Sequence, residues 1–282
     1  MPNTALEKLL ERLLEKLDAP EGQAVFPDWN TIHAARWSAH TASFKPILHP
    51  QRVRMKDLLM IDEQKAKIDA NTRQFVAGRP ANNVLLTGAR GSGKSSLVKA
   101  VHAKYAKQGL RLIEVDRPGL ASLPDLFDGL VEADYRFIIF IDDLSFAEHD
   151  LAYATLKAAL DGSLAGPSEN VLIYATSNRR HLMPEYMADN LDTRHLDGEV
   201  HPGEAVEEKI SLSDRFGVWV SFHAMDQSTY LAIARHWTDQ LGASTPQGFE
   251  RAALNWALER GARNGRVAWQ FARDWAGRHR PG

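Results

Sequence analysis

Residues 83–106 read Asn83-Val-Leu-Leu-Thr87, then Gly88-Ala-Arg-Gly-Ser-Gly93-Lys94-Ser95, then Ser96-Leu-Val-Lys-Ala-Val-His-Ala-Lys-Tyr-Ala106. A short apolar run is followed by a glycine-rich turn with G-x-x-x-x-G-K-S spacing and then by a helical pattern. Val84, Leu85 and Leu86 carry the signal of a buried strand, and Leu97, Val98, Val101 and Tyr105 recur at helical spacing. Strand, loop and helix in that order are what a phosphate-binding loop needs. The glycines let the backbone bend so that several N–H groups converge on one anion. The helix start adds partial positive charge at the same point. Gly88, Ala89, Arg90, Gly91, Ser92, Gly93, Lys94, Ser95 and Ser96 are therefore the candidate cradle for a nucleoside triphosphate. Lys94 can reach the outer phosphates, and the Ser95 hydroxyl can ligate Mg²⁺.

Outward from this stretch, strands alternate with helices. Upstream, the apolar patch Leu58–Ile61 opens a helical pattern that Gly78-Arg-Pro80 ends. This patch can wrap an adenine ring or simply pack on a sheet. Downstream, Leu110–Val115, Phe137–Ile141, Val171–Ala175 and Val218–Phe222 read as further strands. Helices are expected around 126–131 and over 148–160. The alternation predicts a parallel sheet with right-handed crossovers, whose ligands sit at the C-terminal strand ends. From Asp226 onward the pattern is helical only, over 226–241, about 247–260 and about 265–276. Trp237, Trp256, Trp269 and Trp275 are most simply the core of that helical part.

The remaining segments are read from local pattern. Leu6, Leu9, Leu10, Leu13, Leu14 and Leu17 share one face of an amphipathic helix. A second helix is expected over Thr31–Thr41. Residues 185–210 carry Asp189, Asp192, Asp197, Glu199, Glu204, Glu207 and Glu208 and read as a long acidic loop.

Composition narrows the chemistry. The chain has 282 residues, a formal net charge of −2 and no cysteine, which excludes disulfides, thiolate zinc sites and cysteine nucleophiles. The near-neutral balance gives no global drive toward nucleic acid or anionic membrane. No apolar run approaches the ~20 residues of a membrane span, and Glu7, Lys8, Glu11 and Arg12 interrupt any signal-peptide core. A cytoplasmic protein without a membrane partner is expected.

Three polar residues at strand ends complete the candidate site. Asp142 closes an apolar strand and can hold Mg²⁺ opposite Ser95. Asp143 follows it and can orient or deprotonate an attacking water, its alternative being a cap or structural hydrogen bond. Asn178, at the next strand end, can position the same water or touch the γ-phosphate, its alternative being a turn residue.

With these residues in place, the chain resembles an AAA+ ATPase. It is most similar to a bacterial family of ATP-binding proteins described only as a domain of unknown function, with features of initiators and helicase loaders. The resemblance runs over about residues 50–280. The runs Asn170–Leu182 and His201–Gly217 carry it most specifically. It implies that Gly88–Ser95 is Walker A, that Phe137–Asp143 is Walker B and that Asn178 is the first sensor. It implies that Arg215, in Ser-Asp-Arg-Phe, is an arginine finger and that Arg266 is a second sensor on a helical lid, with Arg263 as the alternative. A guanidinium fork suits charge spreading over γ-phosphoryl oxygens. The competing reading for Arg215 is an ion pair with the acidic loop. Walker B here ends Asp142-Asp143 where most AAA+ enzymes have Asp-Glu, so slow or partner-stimulated hydrolysis is expected.

The expected architecture is thus α/β: a parallel five-stranded P-loop sheet with flanking helices over 51–223, a small helical lid over 224–282 and a helical N-terminal extension over 1–50. The expected cofactors are ATP and Mg²⁺. The expected assembly is a homo-oligomer completed by Arg215 in trans, acting on a protein or nucleic-acid partner. A nucleotide-gated adaptor with negligible turnover is the alternative, and a small-molecule P-loop kinase is a distant third.

Overall fold

The computed structural model describes residues 26–51, 53–146, 150–161, 169–178, 194–196, 199–201 and 212–279. The amphipathic N-terminal stretch lies outside them. The strands are β1 (Ala34–Ser38), β2 (Ser43–Pro46), β3 (Val84–Gly88), β4 (Leu110–Glu114), β5 (Arg136–Ile141), β6 (Val171–Ser177), β7 (Arg194–Leu196), β8 (Glu199–His201) and β9 (Val218–Phe222). The helices are α1 (Asp62–Val76), α2 (Lys94–Tyr105), α3 (Leu123–Leu130), α4 (Leu151–Asp161), α5 (Gln227–Gln240), α6 (Phe249–Glu259) and α7 (Gly265–His279).

Seven strands form one sheet in the order β2-β1-β4-β5-β6-β3-β9, parallel except for β2. The central strands are apolar at nearly every position because both faces are covered. Leu85, Phe137, Ile139 and Ile141 point into one core cluster, and Val84, Leu86, Ile138 and Phe140 into the other. Helix α1 is pinned to the second face by a buried polar contact. The Tyr174 hydroxyl meets Asn71 Nδ2 at 3.0 Å and Thr72 Oγ1 at 2.8 Å, while Asn71 Oδ1 takes the Asn82 N–H at 3.0 Å. Burial pushes the Tyr174 phenol up to about 12.

Two expectations are corrected here. The sheet has seven strands, not five, because residues 34–46 form a hairpin and not a helix. Ala34 and Ala35 favour a helix locally; pairing with β4 overrides that preference, with Ala34 opposite Leu112 and Arg36 opposite Glu114. Within the stretch expected as a continuous loop, β7 and β8 pair antiparallel.

Helices α5, α6 and α7 enclose a third, separate apolar cluster around Tyr230, Phe249, Phe271 and Trp275. Trp237, Trp256 and Trp269 join it through ring contacts, so the tryptophans do build this core. Asp226 caps α5 by accepting the Thr229 N–H at 2.7 Å.

Candidate nucleotide site

The glycine-rich loop links the C-terminal end of β3 to the start of α2. Gly88, Gly91 and Gly93 all have positive φ, at 134°, 77° and 107°. Two of these positions exclude any other residue. A Cβ on Gly88 would meet the Phe222 carbonyl oxygen of β9 at 2.2 Å, and one on Gly91 would meet Asn264 Oδ1 at 2.6 Å.

Lys94, the first residue of α2, is buried. Its ammonium donates to Gly88 O at 2.6 Å, Ala89 O at 2.9 Å and Asn178 Oδ1 at 3.0 Å. Burial holds its pKa below the usual lysine range, opposed by the Asp142 and Asp143 carboxylates and reinforced by Arg90 and Arg266. Lys94 and Asn178, 84 positions apart, are thus brought together.

Ser95 Oγ donates to Asp142 Oδ1 at 2.6 Å, and Thr176 Oγ1 donates to the same oxygen at 2.6 Å. A hydroxyl and a carboxylate at this separation are hard oxygen donors of the kind Mg²⁺ accepts. Among the described residues, the buried Ser92 hydroxyl in the loop has no protein partner. Together these residues fit a magnesium–triphosphate group.

Asp143 has left-handed backbone geometry at φ 56°, which places its side chain beside Asn178. Its N–H donates to Thr176 Oγ1 at 2.9 Å. Asn178 Nδ2 donates to Asp143 Oδ1, and the Arg90 guanidinium lies 3.4 Å from Oδ2. The carboxylate at the expected water position is therefore held on two sides.

The C-terminal helices reach the same loop. The Gly265 N–H, at the start of α7, donates to Gly91 O at 2.9 Å. Asn264 Oδ1 caps α7 by accepting the Val267 N–H at 2.9 Å. Arg266 follows, exposed, with its charge felt at Lys94, whereas Arg263 acts on Asp226.

Arg215 is not part of this cluster. It precedes β9, whose Val218 pairs with Val84 and whose Phe222 pairs with Gly88. Arg215 therefore sits at the opposite, N-terminal end of the strands, a strand length or roughly 13 Å from its own loop. Its Nε donates to Asp161 Oδ1 at 2.5 Å, at the end of α4. Sequence reading missed Thr176, Asp161 and the Arg90–Asp143 pair, which join residues far apart in the chain. Asn264 was readable, since an asparagine just before a helical run is a capping signal.

Among the described residues, no group of three or more His, Asp and Glu side chains is placed to hold a metal ion. No helix there is long and apolar enough to cross a membrane.

No curated protein matches the sequence. Among solved structures, the chain is similar to Thermotoga maritima RuvB, titled a Holliday junction branch migration motor. That match has TM-score 0.51 and 16% identity, covering 80% of this chain and 66% of that one. A single-substitution variant of the same protein gives TM-score 0.53 at 14% identity, covering 79% and 65%. Another gives 0.53 at 15%, covering 82% and 69%. The chain spans slightly less than two thirds of the first two structures. At this identity the likeness concerns the fold alone. The family described as "Protein of unknown function (DUF815)" matches residues 30–279, nearly the whole chain, and the protein belongs to that family.

Proposed function

We propose that this protein binds Mg-ATP and hydrolyses it slowly, as an oligomer that remodels or loads a macromolecular partner. The observation that carries the reading is the Ser95–Asp142–Thr176 contact beside the buried Lys94 ammonium. Residues Gly88–Ser96 take the phosphates, with Lys94 exchanging its loop carbonyls for phosphate oxygens. Ser95 and Asp142 hold the magnesium, which when bound neutralises phosphate charge and fixes the oxygens in line.

Asn178 and Asp143 face the side from which water attacks, and Asp143 takes the proton or orients the water. One methylene shorter than glutamate, and already engaged by Asn178 and Arg90, Asp143 favours a low rate. Arg266 on the helical lid senses the nucleotide. Arg215, too far from its own loop, serves a neighbouring copy, so the site is completed between subunits. ATPase activity per subunit is expected to rise with protein concentration and to collapse in Arg215→Ala. Unchanged activity in that variant counts against the assembly.

The engagement of Asp143 also favours a second reading, a nucleotide-gated adaptor with negligible turnover. A steady-state rate well above background, abolished by Lys94→Ala, excludes it.

A further inference from the structure

Arg215 and Asp161 meet at the N-terminal end of the strands, away from the phosphate loop. Asp161 is the last residue of α4, and Arg215 lies between a buried turn at Leu212 and Ser213 and the first residue of β9. The Nε–Oδ1 distance is 2.5 Å, with the Arg215 side chain 25% exposed and the Asp161 side chain 47% exposed. Phe216, the next residue, is buried in the core cluster that also takes Leu156 and Leu160 of α4. The backbone under both partners is therefore fixed, and the ion pair adds orientation to position.

We infer that Asp161 is the positioning residue for Arg215, holding its guanidinium by Nε in the orientation that a neighbouring copy's triphosphate requires. The inference rests on the trans reading of Arg215 above. The physical need is clear. An arginine side chain loses about 2 kcal/mol of rotamer entropy when ordered, and that loss falls on the transition state unless it is met beforehand. A carboxylate on Nε meets part of it, because it restrains the plane of the guanidinium. An exposed ion pair contributes little to fold stability, so its effect should be on turnover and not on folding.

The test uses mixed oligomers. A Lys94→Ala subunit keeps Arg215 but has a damaged loop, and an Arg215→Ala subunit keeps its loop but lacks the finger. Mixing the two should restore ATP turnover at interfaces where one donates and the other receives. Asp161→Asn added to the Lys94→Ala donor should lower the restored kcat by up to about fivefold, with KM unchanged. The same change added to the Arg215→Ala acceptor should do nothing. Asp161→Glu in the donor should retain most of the turnover, and thermal melting should show all variants folded. Equal losses from both placements, a loss only from the acceptor, or no loss from the donor overturns the positioning role while leaving the trans site standing. No restoration by the two parent variants sinks the trans site and the positioning role with it.

Discussion

The backbone N–H of Gly265 donates to the carbonyl of Gly91 across 2.9 Å, joining the first residue of α7 to the middle of the glycine-rich loop. The loop and the C-terminal helices therefore share a contact at the point where phosphate charge would arrive. A side chain at Gly91 is excluded twice, by φ 77° and by Asn264 Oδ1 at 2.6 Å.

Gly91→Ala should accordingly lose ATP affinity by about tenfold or more. Its melting temperature should fall by a few degrees only, since the strain at φ 77° costs about 1–3 kcal/mol. Titration with a fluorescent ATP analogue, beside a thermal melt, checks both halves.

Arg266 and Arg263 should separate cleanly. Arg266 influences the Lys94 ammonium, whereas Arg263 influences Asp226 at the start of α5. Arg266→Ala should weaken ATP binding about fivefold or more, and Arg263→Ala should leave it unchanged. Dissociation constants from the same titration decide between them.

Asp143→Asn should cut turnover about a hundredfold while ATP still binds, as removal of a proton acceptor at this position would. Arg90→Ala should raise turnover by no more than about fivefold, since an exposed pair is worth roughly 0–1 kcal/mol. Phosphate release under saturating ATP measures both.

His102 predicts a loss of stability on acidification. Its ring is buried against the His33 carbonyl, at 2.9 Å from Nε2, so the neutral ring carries its proton there. Burial lowers its pKa from 6.5 to about 4. Between these values the unfolded chain binds a proton that the folded chain refuses. Stability is then full above about pH 6.5 and declines toward pH 4, by about 3 kcal/mol from this group. Urea unfolding across that range should show the decline, and His102→Gln should show less of it.

The parts of the fold legible in the sequence were those written in local pattern. The strand, glycine turn and helix of 83–106 specify themselves, and the apolar run 137–141 announces a strand covered on both faces. Residues 34–38 do not, because only pairing with β4 makes a strand of them. The pairing of β7 with β8 was obscured by the surrounding acidic residues. At the site, Lys94, Ser95, Asp142, Asp143 and Asn178 were readable from strand ends and spacing. Thr176 was not, because a threonine in an apolar strand looks like packing until its hydroxyl is seen on Asp142. Asp161 read only as the end of a helix, and nothing local links it to a residue 54 positions later.

The most direct measurement is a calorimetric titration of the purified chain with ATP and Mg²⁺. Saturable single-site binding is expected, weakened by removal of Mg²⁺ and lost in Lys94→Ala. No saturable uptake by the wild-type chain would contradict the account.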